Sequence, residues 1–186
     1  MSQVETTERE LVIVGGGPAG LATAIQAHDL GYRAIEIIDP KGVGAGGLRG
    51  LKIKSNSKGH DFISPYEDAH PELIALEQAN GLRGVGDAVE LQHAANFLDA
   101  VGDQIVSRGI VHHTKGKAFC LKHTSNGWEV QTKAQSFFTQ RVAISTGAKE
   151  RFLSFLAERD RTKTFLSRKV LAGKHDKQFA KNFAAY

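Results

Sequence analysis

Cysteine occurs once in 186 residues, at Cys120, so no intrachain disulfide can form and no Cys/His spacing builds a zinc site. Apolar runs are short, and none approaches the roughly 18 residues that a membrane-spanning helix needs. Proline is scarce: the four residues are Pro18, Pro40, Pro65 and Pro71, all in the first half. Tryptophan and methionine each occur once. With 41% hydrophobic and 24% charged residues, the composition excludes collagen-like, disordered and disulfide-scaffold classes. Residues 1–10 are polar and acidic, unlike a signal peptide. The expectation is a cytoplasmic chain of one domain and a remainder.

Glycine is the residue in excess, 20 in all, clustered near 15–20 and 42–50. Positive charge is the other excess, and it is local. Residues 148–186 carry ten Lys/Arg against four acids, a net +6, whereas residues 1–147 carry fourteen against sixteen, a net −2. The basic character therefore belongs to the C-terminal piece, and no nucleic-acid partner is expected from it.

Residues 10–14 form a β-branched run that reads as a buried parallel strand. Pro18 to Leu30 reads as a helix, with proline in its first turn and Gly31 as its stop. Residues 34–39 read as a second strand, closed by Pro40. Strand, glycine turn, helix and strand make a βαβ unit. Residues 41–65 read as a long glycine-rich loop without periodicity. Helices are expected over 71–80 and 90–108, the second from an apolar face of Leu91, Ala94, Ala95, Leu98, Val101 and Ile105. A strand over 110–113, a three-stranded antiparallel meander over 117–139 with a turn at Asn126-Gly127, and a strand over 141–145 complete the body. The fold class expected is α/β, with a parallel sheet, helices and an inserted antiparallel meander.

Gly15, Gly17 and Gly20 satisfy G-x-G-x-x-G between the first strand and the helix. In such a turn the first glycine permits the bend, the second admits a pyrophosphate, and the third lets helix pack on strand. The helix N-terminus then presents N–H groups and partial positive charge to a diphosphate. Asp39 ends the second strand, 19 residues after Gly20, where an acid for ribose hydroxyls is expected. A carboxylate there disfavours a 2′-phosphate.

The run Gly15-Gly16-Gly17-Pro18-Ala19-Gly20-Leu21, with Ala24 following, resembles the FAD-binding signature of the two-dinucleotide-binding-domain flavoproteins. The strand ending in Ser145-Thr146-Gly147 resembles their later Ala-Thr-Gly element, with serine where alanine is usual. Phe97-Leu98, Gly109-Ile110-Val111 and Gly127-Trp128-Glu129-Val130 are similar to the flavin-containing and N-hydroxylating monooxygenase branch. The likeness covers about residues 9–148 and implies a Rossmann-like FAD/NAD(P)-binding domain. It implies that Gly15, Gly17, Pro18, Ala19 and Gly20 hold a diphosphate, Asp39 a ribose, and Lys41 the flank of the adenosine. It implies that Ala118 meets the adenine through its backbone and that Thr146 and Gly147 pass near the diphosphate. The loop through Gly44, Ala45, Gly46, Gly47 and Leu48 would run toward the flavin ring. The cofactor implied is FAD, with NAD(P)H as a candidate reductant whose own site is not visible in the chain.

Other chemistry is thin. His112 and His113 are strand neighbours whose side chains face opposite ways, so they cannot share a metal. His60-Asp61 reads as exposed loop, and Cys120 as a packed thiol. No residue reads as an obligate catalytic acid or base, as in enzymes whose cofactor carries the chemistry. The organisation expected is a FAD-binding domain over 1–148 and a basic helical tail over 149–186, without a second glycine fingerprint. Three functions are open at this point: a minimal or truncated flavin-dependent oxidoreductase of monooxygenase type, a non-catalytic module that kept the fold, and a protein binding NAD or another adenylate. A homo-oligomer or a partner subunit completing the site fits the short length.

Overall fold

A computed structural model describes residues 6–51, 53–62, 74–80, 82 and 88–147. The tail expected over 149–186 lies outside the described residues, as does proline-containing segment 63–73.

At the centre is a four-stranded parallel sheet in the order β10-β2-β3-β6, formed by Val142–Ile144, Leu11–Val14, Ile35–Ile38 and His112–Thr114. Its two middle strands are Leu-Val-Ile-Val and Ile-Glu-Ile-Ile, nearly continuous apolar runs, as expected where both faces are covered. Side chains alternate across the sheet and so sort into two cores. Leu11, Ile13, Ile35 and Ile37 pack with Leu21, Ala24 and Ile25 of helix α1 (Pro18–Asp29) and with Phe97, Leu98, Val101 and Ile105 of helix α3 (Leu91–Ser107). Val12 and Ile38 face the other way, onto Val130 and Phe137 of the meander. The body is therefore three layers: helices, parallel sheet, meander. A short helix, α2 (Ile74–Ala79), packs near α3, Leu76 joining the first core.

The meander is β7 (Ala118–Thr124), β8 (Gly127–Thr132) and β9 (Ser136–Thr139), paired antiparallel. The hairpin loop is Ser125-Asn126, one residue earlier than the expected turn, and Gly127 opens β8 with its Cα against the Thr139 carbonyl. The N-terminal segment was expected only to be polar. It instead forms strand β1 (Thr6–Arg9), which pairs parallel with β9. β1 runs on into β2 as β9 runs on into β10, and the pairs Thr6↔Ser136 and Val12↔Val142 keep one offset throughout. The same parallel pairing thus begins in one sheet and ends in the other, which ties the meander to the central sheet.

One polar cluster crosses the layers. Glu36 is 2% exposed on the meander side of β3, and its carboxylate accepts from Arg9 Nε (3.0 Å) and Thr114 Oγ1 (2.8 Å). Gln135 Nε2 donates in turn to Thr114 Oγ1 at 3.1 Å. A buried carboxylate requires such partners, because its desolvation is otherwise unrecovered.

Residues 41–65 were expected to be one loop, and this is corrected by the structure. They hold a 3-10 turn at Gly46–Leu48, strand β4 (Lys54–Lys58) and a second 3-10 turn at Gly59–Phe62. β4 pairs antiparallel with β5 (Ala88–Glu90), a partner far along the chain, and its polar sequence Lys-Ser-Asn-Ser-Lys carries no alternation to announce it.

Where β1 passes into β2, Glu10 Oε2 accepts the backbone N–H groups of Arg33 (2.6 Å) and Ala34 (2.9 Å). These two donors, Ala34 first and then Arg33, hold the Glu10 carboxyl below the ordinary carboxylate range. A depressed folded-state value stabilises the fold above the unfolded-state value, and that contribution is lost as pH falls through the folded value. Glu10→Gln should therefore be less stable than the parent at pH 7, with the difference vanishing near pH 2 (an end point set about two units below a normal carboxylate). Urea unfolding followed by circular dichroism at the two pH values checks this; an equal difference at both would refute it.

Candidate functional site

The glycine turn sits where the C-terminal ends of β2, β3 and β10 converge, the end of an open parallel sheet at which ligands bind in such folds. Its anchoring is local. Gly15 N–H donates to the Ile38 carbonyl at 2.9 Å, and the Val14 carbonyl accepts from Ser145 N–H at 2.7 Å. The first residue of the turn is thus suspended between both neighbours of β2.

The three fingerprint glycines are required for different reasons. Gly15 has φ +106°, and a Cβ on it would collide with the Ser145 carbonyl. A Cβ on Gly20 would collide with the Gly15 carbonyl, so α1 lies against the strand exit with no room between them. Gly17 differs. It caps α1 with φ −70°, a value open to any residue, and a Cβ on it would meet only Gly46 Cα at 3.7 Å, an ordinary contact. The chain itself therefore demands Gly15 and Gly20 but leaves room at Gly17.

That room lies at the start of α1. No side chain caps this helix end, Pro18 occupies the first turn, and the first turn has no acidic residue. The positive end of the helix is left without a counter-charge from α1 itself. Ala19 is exposed beside it.

Asp39 stands at the end of β3, half-buried. Its Oδ2 accepts Gly16 N–H at 2.9 Å and its Oδ1 accepts Lys41 N–H at 2.6 Å. Its backbone is held by β6: Asp39 N–H donates to the Thr114 carbonyl (3.2 Å), and His113 Nε2 lies 3.0 Å from the Asp39 carbonyl. A carbonyl can only accept, so that ring nitrogen carries the proton. His112 is exposed on the opposite face, as the alternation predicted. Lys41 is exposed beside the acid.

The segment 42–50 returns to the glycine turn. Gly44 N–H donates to the Gly16 carbonyl at 2.7 Å, and a Cβ on Gly46 would fall 2.7 Å from Gly17 Cα. Leu48 is half-buried against the main core while Gly47 is exposed. On the other flank, Thr146 and Gly147 are exposed just past β10, and the Thr146 backbone nitrogen borders Gly15. Ala118 is set apart from the turn: it opens β7, pairs with Thr132 and packs on the meander-side core with Val12 and Ile38. The structure thus gathers Gly15, Gly17, Pro18, Ala19, Gly20, Asp39, Lys41, Gly47, Leu48, Thr146 and Gly147 around one sheet end, with Ala118 on its meander side.

Sequence reading missed two residues here. Asp99, on α3, accepts Ala45 N–H at 2.8 Å and receives the Arg49 guanidinium in two-pronged fashion. Asp99 also raises the Arg49 pKa above its already high value, so Arg49 is a permanent cation. The one local signal was Gly102 in mid-helix, which marks a close backbone approach. No group of three or more His, Cys, Asp or Glu among the described residues could hold a metal ion. No described helix is long and apolar enough to cross a membrane.

No protein-family model matches the chain. Dihydrolipoyl dehydrogenase of Trypanosoma brucei brucei is 26% identical over 152 residues, 79% of this chain and 32% of that protein. Among solved structures, a thioredoxin reductase from Gloeobacter violaceus superposes with TM-score 0.52 at 21% identity, over 83% of this chain and 39% of that one. A flavin-containing monooxygenase from Stenotrophomonas maltophilia gives TM-score 0.53 at 12% identity, over 75% and 38%. The chain spans about a third of the curated relative and about two fifths of these structures. Its fold is that of the N-terminal portion of the two-dinucleotide-binding-domain oxidoreductases, as the resemblance in sequence implied.

Proposed function

We propose that this chain binds FAD at the glycine turn and serves as the flavin-binding part of an oxidoreductase. The observation that carries the reading is Gly17, a fingerprint glycine whose Cβ position the fold leaves open, at a helix start that no side chain caps. Backbone that is free of a side chain without being crowded, at the positive end of a helix, suits a diphosphate. In this reading Gly15, Pro18, Ala19 and Gly20 frame the same cradle. Thr146 and Gly147 border it from β10, and Gly47 and Leu48 border it from the loop.

Asp39 fits the ribose role while already accepting two backbone N–H groups. Each carboxylate oxygen has two acceptor sites, so one on each remains for hydroxyl donors. His113 and Thr114 fix its backbone, and Lys41 supplies positive charge nearby. Ala118 offers main chain to the adenine from the meander side. Bound FAD would supply two-electron redox chemistry, taken from NAD(P)H in the oxidoreductases that share this fold; the chain's residues hold and orient it. The fold occurs in both a thioredoxin reductase and a flavin monooxygenase, and the monooxygenase-type reading rests on the sequence resemblance.

The alternatives are a binding module without turnover and a protein that binds NAD or another adenylate. Purified protein should be yellow, or become so on adding FAD, with flavin fluorescence altered on binding. A protein that stays colourless and takes up NAD instead would establish the adenylate reading. If it is yellow, anaerobic bleaching by NADH or NADPH marks the oxidoreductase, and its absence with both marks the module.

Two glycine substitutions separate binding from folding. Gly17→Val should keep its melting temperature within about 4 °C, a shift of roughly 1 kcal/mol, because its Cβ has room. Its FAD affinity should nevertheless fall by at least about tenfold, or ~1.4 kcal/mol. Gly20→Val should lose roughly 1–3 kcal/mol or more of stability from overpacking, which lowers the melting temperature with or without FAD. Unchanged FAD affinity in Gly17→Val would show the turn to be purely structural.

A further inference from the structure

We infer that Asp99 is a positioning residue for the dinucleotide site, acting as a latch that holds the glycine-rich segment 42–50 on α3 and so against the glycine turn. The inference rests on the FAD-binding reading above for its effect on affinity, and on geometry alone for the latch.

The segment has five glycines in nine residues, four of them at positive φ. Backbone of this composition loses more conformational freedom on ordering than any other, so something outside it must fix its shape. α3 does so along much of its length. Leu91 N–H donates to the Ile53 carbonyl (2.9 Å), and Gln92 Oε1 accepts Gly50 N–H (3.0 Å). Two turns later Asp99 accepts Ala45 N–H through Oδ1 (2.8 Å) and takes Arg49 Nη2 on Oδ1 (2.6 Å) and Nε on Oδ2 (2.8 Å). One carboxylate therefore grips both ends of the 3-10 turn Gly46–Leu48. The approach is close on both sides: a Cβ on Gly44 would fall 2.7 Å from Asp99 Cα, and a Cβ on Gly102 would collide with the Val43 carbonyl.

From the gripped turn the path to the site is one residue long. Gly44, next to Ala45, donates to the Gly16 carbonyl at 2.7 Å, and Gly46 lies against Gly17. The wall of the cradle at Gly17 is thus set by a carboxylate on another element. The side chains of Asp99 and Arg49 are 33% and 31% exposed, so solvent screens their Coulomb attraction. The pair's contribution is directional: a planar fork on a planar acceptor, with a backbone N–H bonded to the same group.

The test uses the full chain with Asp99→Asn and Asp99→Ala. Asp103→Asn, the same loss of charge at an exposed position one turn along α3, is the control. Two readouts are needed. The first is free of cofactor: limited trypsin digestion, with cleavage after Arg49 followed by mass spectrometry. Cleavage there should be about fivefold or more faster in both Asp99 variants than in the parent or Asp103→Asn, as expected for release of a locally held segment. The second is FAD titration, in which Asp99→Asn should bind about three- to tenfold more weakly and Asp99→Ala more weakly still. Equal cleavage after Arg49 in parent and Asp99 variants overturns the latch. Faster cleavage with FAD affinity matching the Asp103→Asn control overturns the positioning role. If the parent itself takes no FAD, the binding reading falls, and the cleavage rates alone decide the latch.

Discussion

Strand β2 is bonded on both sides, to β3 and to β10, and buried on both faces. That placement constrains everything at the functional end. The strand cannot leave the sheet sideways, because Ile38 of β3 and Ile144 of β10 flank its last residue, Val14. Gly15 N–H is taken by Ile38 of β3, and Ser145 N–H by Val14. The chain must turn over the sheet edge in the space that the Ser145 carbonyl leaves, and at that point there is no space for a Cβ. α1 must then start at once and lie against the Gly15 carbonyl, which removes the side chain at Gly20. The fold thus explains two of the three glycines without reference to a ligand, and the third stands out because it does not need explaining that way.

The same reasoning shows which parts were legible in the sequence. The turn, α1, β2 and β3 were readable because each is specified within a few residues: an apolar run, a proline in the first helical turn, an acid at a fixed distance. α3 and the meander were readable from periodicity. β1 and β4 were not. Thr-Thr-Glu-Arg and Lys-Ser-Asn-Ser-Lys have no apolar alternation, and each becomes a strand only because a distant partner offers unpaired backbone. Within the site, Asp39 was legible by its place after β3, but its bonds to Gly16 and Lys41 were not. Asp99 and Arg49 lie 50 residues apart on elements with no sequence relation, and their pairing exists only once α3 and the loop are packed.

Glu36 and Asp39 show how one strand can carry two carboxylates with different work. Glu36 lies on β3 and Asp39 just past its end, and both are held by β6 residues, Thr114 for Glu36 and Thr114 with His113 for Asp39. Glu36 is fully buried, and each of its oxygens accepts one bond, from Arg9 and from Thr114, which bind sheet to meander. Asp39 is one residue beyond the strand, half in solvent, and bonded only to neighbouring backbone. A carboxylate whose partners are all internal holds the fold together. One at the sheet's open end, with acceptor sites left and a lysine beside it, is placed to meet something from outside.

This division also bears on which residues the proposed site needs. The cradle, its acid and the wall formed by segment 42–50 are built from β2, α1, β3, α3 and β10, all within residues 11–147. Every strut that positions them, from the Ser145 carbonyl to Asp99, lies in the same span. The proposed dinucleotide binding therefore draws on contacts within this span. Turnover is different in kind, because it needs a reductant and a substrate brought to the flavin. The proposed binding and any turnover are therefore separable by experiment: the first depends on contacts a few ångströms from one glycine turn, the second on groups arranged around the flavin.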